Sequence, residues 1–165
     1  MANEQAIQAE LQEKFPYFGE KINISGDRRI WAEVESTHFF DAFDYIVKKM
    51  DFPILCLITG LDSGDNLEFI YHLARRDGTM LNLKTFIPKS NPVHKTVVVD
   101  YFPGAELYER ELVDLLGARI EGLPEGNRYP LPDDWPEGQY PLRKDWTVDM
   151  LDKSPDGGSG QSPIQ

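Results

Sequence analysis

The sequence predicts an α+β fold: one domain with a mixed or antiparallel sheet, helices on one face, and a proline-rich extended segment at its C-terminal end. Three observations carry this. Ile30, Ala32 and Val34 alternate with Trp31, Glu33 and Glu35, the period of a half-buried strand. Phe39, Phe40, Phe43, Ile46, Val47 and Met50 recur at three- and four-residue steps, the period of a helix with a heavy apolar face. Leu67–Leu73 and Met80–Ile87 flank Arg76-Asp77-Gly78-Thr79, which predicts an antiparallel hairpin. A length of 165 residues suits one domain, and 41% hydrophobic content suffices for one core.

In chain order, residues 5–14 read as a short amphipathic helix, with Ile7 and Leu11 a turn apart and Pro16 closing it. The strand around 30–35 follows. Ser36 or Thr37 is placed to cap the helix that runs to about Met50. Ile54-Leu55-Cys56-Leu57-Ile58-Thr59 is a continuous apolar run, expected as a central buried strand. Cys56 within it is expected to be a small core hydrophobe. Thr59 to Asn66 reads as a connecting loop, and the hairpin comes next. Beyond Pro92 the pattern turns helical: a short turn over Thr96–Tyr101, then a helix over 105–116 stopped by Gly117. Pro124, Pro130, Pro132, Pro136 and Pro141 forbid regular structure over 123–146, yet Tyr129, Trp135, Tyr140 and Trp146 are there. Large anchors on an extended chain imply a segment pressed against its own domain or a partner. The organisation expected is therefore a domain over 1–122, a Pro/aromatic partner-binding segment over 123–146, and a flexible tail over 147–165.

Composition narrows function. The formal charge of −11 disfavours a phosphate backbone as partner, and the short basic pairs form no stripe. The single cysteine leaves no intramolecular disulfide and no thiolate set for zinc or an iron–sulfur cluster. The opening Met1-Ala2-Asn3-Glu4 has neither a basic nor an apolar stretch, so no signal peptide is expected, and no run reaches membrane-spanning length. His38, His72 and His94 lack ligand spacing and read as exposed or satisfied side chains. No serine stands in a nucleophile-elbow context, and the acidic Gly60–Gly64 loop lacks the Lys-Ser/Thr of a phosphate loop.

The informative cluster is Glu109-Arg110-Glu111-Leu112-Val113-Asp114-Leu115-Leu116-Gly117. Arg110 and Asp114 are one turn apart and can pair. Glu111 lies between Leu107 and Leu115 at four-residue steps, so it is expected on the apolar stripe, while Glu109 lies nearer the polar side. A carboxylate on that stripe needs a partner, with Arg143 or Lys144 the candidates, either within the chain or at an intersubunit contact.

These residues carry a resemblance. Phe102-Pro103-Gly104-Ala105-Glu106-Leu107-Tyr108-Glu109-Arg110-Glu111 with Asp114 and Gly117, then Pro141-Leu142-Arg143-Lys144-Asp145-Trp146, resembles the signature of the thirty-kilodalton subunit of respiratory complex I. Asp62 and Tyr71-His72-Leu73 also look like that family's D…Y-H-L pattern. The family's usual G-H-P is Gly122-Leu123-Pro124 here, and its arginine pair is Asn127-Arg128. The stretch from Gly122 to Pro136, with Trp135, looks closer to the homologous small subunit of membrane-bound, energy-converting nickel–iron hydrogenases. The resemblance implies a cofactor-free soluble-arm subunit at the cytoplasmic face of the membrane. It implies two partners, a large hydrogenase-type or quinone-site subunit and a small iron–sulfur subunit, which hold the iron–sulfur clusters and, in a hydrogenase, the nickel–iron centre. It implies membrane contact only through partners and no catalytic, cofactor or metal residue in this chain. The related alternative is the thirty-kilodalton subunit of an NADH or other quinone dehydrogenase. A free-standing enzyme using carboxylate acid–base chemistry would need two converging carboxylates, which no spacing here provides.

Overall fold

The computed structural model describes residues 2–151. Helix α1 (Ala2–Lys14) buries Ile7 and Leu11 and is followed by a short 3-10 turn at Pro16–Phe18. Strand β1 (Ile22–Gly26) pairs antiparallel with β2 (Arg29–Glu35). The polar run Asn23, Ser25, Gly26 and Asp27 hides β1 in the sequence, because pairing with β2 rather than intrinsic propensity makes it a strand. A 3-10 turn at Ser36–His38 leads into α2 (Phe39–Lys48), with no side-chain cap from Ser36 or Thr37. The stacked ring of Phe39 and the edge-on ring of Phe40 pack against Phe43 instead.

Strands β3 (Ile54–Asp62), β4 (Asn66–Ala74) and β5 (Met80–Pro88) complete a five-stranded sheet of order β1-β2-β5-β4-β3. All neighbours are antiparallel except β2 and β5, which run parallel because α2 and the β3–β4 hairpin intervene. Strand β3 therefore lies at the edge, not at the centre as its apolar run suggested. The strand order gives the central place to β5, with β4 between it and β3. The expected loop at 59–66 shrinks likewise: β3 continues to Asp62, and the turn closes with the Ser63 N–H donating to Asn66 O at 2.9 Å.

Short strands β6 (Val93–Lys95) and β7 (Arg119–Glu121) pair in parallel and bracket α3 (Glu106–Leu116). The turn expected at 96–101 exists: Tyr101 and Phe102 N–H both donate to Val97 O. One face of the sheet, with Val34, Phe69, Tyr71, Leu73, Leu81 and Leu83, meets Leu11, Phe43 and Leu112 of the three helices in a continuous core. Burying these side chains is the main stabilising term, at roughly 1.5–3 kcal/mol each. The other face carries Trp31, Glu33, Glu68, His72 and Lys84. There Lys84 bridges Glu33 at 3.0 Å, and His72 is held by Thr59 Oγ1 (2.9 Å) and Asn82 Oδ1 (2.7 Å). His94 departs from expectation: it is buried among Phe39, Phe40, Phe69 and Tyr71 with Nε2 unpaired, and burial pushes its pKa down to about 4.

Candidate partner-docking surface

Helix α3 is aimed by Gly60. A Cβ built on Gly60 would stand 2.4 Å from Leu112 Cδ2 and 2.5 Å from Leu116 Cδ1, so only glycine lets the helix lie this close to β3. That contact sends Ala105, Glu109, Leu112 and Leu116 inward and leaves Leu107, Glu111 and Leu115 on the outer side. The expectation for the two glutamates is thus reversed. Two apolar stripes run along α3, and the chain buries the one that contains Glu109. Its carboxylate accepts hydrogen bonds from the Val97 N–H (2.7 Å) and from the Thr96 hydroxyl, which stitches the turn after β6 to α3. Burial raises the pKa of Glu109, and these two hydrogen bonds oppose the rise. Glu111 meets neither Arg143 nor Lys144; among the described residues no hydrogen bond or ion pair engages it.

The expected Arg110–Asp114 pair is also replaced. Arg110 reaches back one turn to Glu106 (2.8 Å) and to Pro124 O (2.8 Å), the more favourable orientation of an i,i+4 pair. Asp114 instead takes Arg128 at 3.1 Å and the Leu131 N–H at 3.3 Å. Gly117 ends the helix in the left-handed region at φ 69°, with the Tyr140 ring 2.4 Å from where a Cβ would sit.

The segment 123–146 is irregular, as its prolines require, and it folds back over its own domain as a strap. The Leu142 N–H donates to Leu115 O (3.0 Å) and Arg143 Nε to Leu116 O (2.7 Å), satisfying two orphan carbonyls at the C-terminus of α3. The Arg143 guanidinium lies 4.7 Å over the Tyr140 ring. Asp62 fastens the far end: it accepts from Lys89 Nζ (2.7 Å), the Lys144 N–H (2.9 Å) and the Gly64 N–H (2.8 Å). Lys89 also reaches Asp145 at 3.1 Å. These bonds, led by Lys89, hold the Asp62 pKa down at about 2 against the opposing effect of burial. Pro141 precedes this clasp, and Trp135 and Trp146 lie 6.0 Å apart, both donating to Gln139. The strap extends past Trp146: a 3-10 turn at Val148–Met150 is tied by Gln139 Nε2 donating to Met150 O, so order reaches into the stretch expected to be a flexible tail. The rest of that tail, 152–165, lies outside the described residues. Gly60 and Lys89 were missed as site residues, and Asp62 entered only through the D…Y-H-L pattern, with no role assigned to it.

What remains exposed is a set of apolar side chains along β3, although Ile58 among them is buried. Ile54, Leu57 and Leu61 are 41–45% exposed and Cys56 is exposed rather than core; Leu142 of the strap is 54% exposed in the same groove as Leu57, and Leu107 of α3 is 51% exposed. Between edge and helix runs an open groove of about 230 Å³. Leu57, Ile58, Gly60, Leu115 and Leu142 line it, with Glu111 as its one charged side chain. A long apolar edge strand without lysine or proline is what a chain with a permanent neighbour carries. Among the described residues no group of three or more His, Cys, Asp or Glu is placed to hold a metal, and no helix is long and apolar enough to cross a membrane.

Fold, strap and apolar edge together define an α+β domain with an open apolar face. Residues 32–150 match the family described as the 30 kDa subunit of respiratory-chain NADH dehydrogenase, and the chain belongs to that family. It is 35% identical to a subunit of the F420H2 dehydrogenase of Methanosarcina mazei over 82% of this chain and 87% of that protein. It is 32% identical to the beta subunit of the membrane-bound hydrogenase of Pyrococcus furiosus over 88% of this chain and 87% of that protein. A chain in the structure of the membrane-bound sulfane sulfur reductase, an archaeal respiratory membrane complex, superposes with a TM-score of 0.77. That match has 32% identity and covers 90% of this chain and 89% of the other. Its relatives are thus subunits of multi-subunit, membrane-associated complexes.

Proposed function

We propose that this chain is a cofactor-free arm subunit of a complex-I-like membrane-bound complex of the hydrogenase type, peripheral on the cytoplasmic face. It docks a large catalytic subunit and a small iron–sulfur subunit, and electron transfer belongs to those partners. The observation that carries the reading is the uncovered β3 edge and groove on a chain whose relatives include a membrane-bound hydrogenase subunit. A quinone-dehydrogenase parent is the second reading, favoured by the F420H2 dehydrogenase relative. Purification of the tagged chain from its native membranes tests both. Co-purification of a large subunit with two Cys-x-x-Cys motifs and stoichiometric nickel supports the hydrogenase parent; a large subunit lacking them supports the dehydrogenase. Recovery of the chain alone overturns both readings. Iron–sulfur absorbance in the isolated, reconstituted chain would overturn the cofactor-free assignment.

A further inference from the structure

Opposed residues in an antiparallel ladder alternate between bonded and non-bonded pairs. The Ser63–Asn66 pair is bonded, so in register Leu61–Glu68, Thr59–Ile70 and Leu57–His72 carry the ladder bonds. The main-chain groups of Ile58 and Gly60 then face the free edge. Cys56 O faces it too, and the Tyr108 hydroxyl takes that carbonyl at 3.2 Å. Ile58 is buried in the core opposite Tyr71, so Gly60 is the partly open position of this edge.

Apolar side chains flank this edge on both sides. Leu57 and Leu61 lie on the helix-free face of the sheet, and Leu115 and Leu142 lie on the helix side. A docked helix would cover one side only. An added strand sends successive side chains to opposite faces and covers both. The groove's one charged side chain is Glu111, which no cation of the described chain engages. An apolar occupant would strand that carboxylate; one bearing a cation would not.

We infer that the β3 edge accepts an extended segment of another subunit by strand addition, with alternating apolar side chains and a lysine or arginine placed against Glu111. This rests on the arm-subunit reading above and adds its mode of docking. The test uses the full chain, free and in the purified complex. Amide hydrogen exchange at Gly60 should slow at least about tenfold on assembly, the protection a new main-chain bond confers. A photo-crosslinker at position 111 should capture a peptide of another subunit that contains a basic residue. Glu111→Lys should lower co-purified partner about tenfold, Glu111→Asp should largely restore it, and the free variants should melt like the parent chain. Unchanged Gly60 exchange in a complex that nonetheless co-purifies would overturn strand addition and leave the arm-subunit reading intact. Crosslinks to a second copy or to this chain's own residues 152–165 would overturn it equally. Failure of the native chain to co-purify at all would instead sink the parent reading.

Discussion

Removing the Glu109 side chain strands the Val97 N–H and the Thr96 hydroxyl in the core. We expect Glu109→Ala to cost about 1–3 kcal/mol in denaturant unfolding. Glu111→Ala in the free chain should stay within about 0.5 kcal/mol. Equal effects would mean that Glu109 is solvated. The two glutamates show where sequence reasoning stops: both lie near leucines at helical spacing, and only the tertiary contact at Gly60 decides which stripe turns inward. His94 makes a second prediction. Its pKa falls from the ordinary 6.5 to about 4, so the unfolded chain takes up the proton first as pH drops. Stability from the neutral ring is complete above pH 6.5 and is lost as pH falls through about 4. The loss is on the order of 3 kcal/mol, and His94→Phe should remove it from a melting series between pH 7 and pH 4.

Helix α3 needs its terminator in one conformation. Gly117→Ala forces a Cβ into the left-handed region and against the Tyr140 ring. It should cost about 1–3 kcal/mol, and tryptophan fluorescence should report loosening near Trp135 and Trp146. An unchanged melt and spectrum would show that the strap does not rest on this glycine. At this scale the sequence was partly legible. Helices α1, α2 and α3, strand β2 and the β4–β5 hairpin follow from periodicity and turn residues. Strands β1, β6 and β7 do not, because each is short and made by its neighbour. The edge position of β3 was hidden for another reason. An unbroken apolar run reports apolar surroundings on both faces, and it reads the same whether the chain itself or another subunit supplies them.

For the whole molecule, the strap is the device that closes the fold. Cutting after Gly122 leaves all five strands of the main sheet and the three helices intact, so the truncated chain should still fold. It loses the bonds to Leu115, Leu116, Asp62 and Asp114, roughly 3–4 kcal/mol at about 1 kcal/mol each, which lowers Tm by about 10 °C. It should also fail to co-purify with partners, since Leu142 leaves the groove. A truncated chain with parental Tm and normal assembly would show the strap to be dispensable. The clasp has its own acid limit. Asp62 titrates near 2 when folded against the ordinary 3.8, so its contribution is complete above pH 3.8 and drains away toward pH 2. Proteolysis after Leu123 should accelerate in that window and not above it.

The clasp joins Asp62 to Lys144, 82 residues further along the chain. On the ribosome these two halves do not appear together. At 5–20 residues per second, the stretch 123–146 is made over about 1–5 s after Gly122, and it leaves the ribosome after the sheet and helices. Until it emerges, the carbonyls of Leu115 and Leu116 have no strap to meet them, and the groove lacks Leu142 from its lining. A nascent chain at this stage presents a more open trough than the finished protein does. Any chaperone or early partner that recognises the trough has a brief appointment with it, ended by the emergence of the last prolines and tryptophans rather than by a signal from outside.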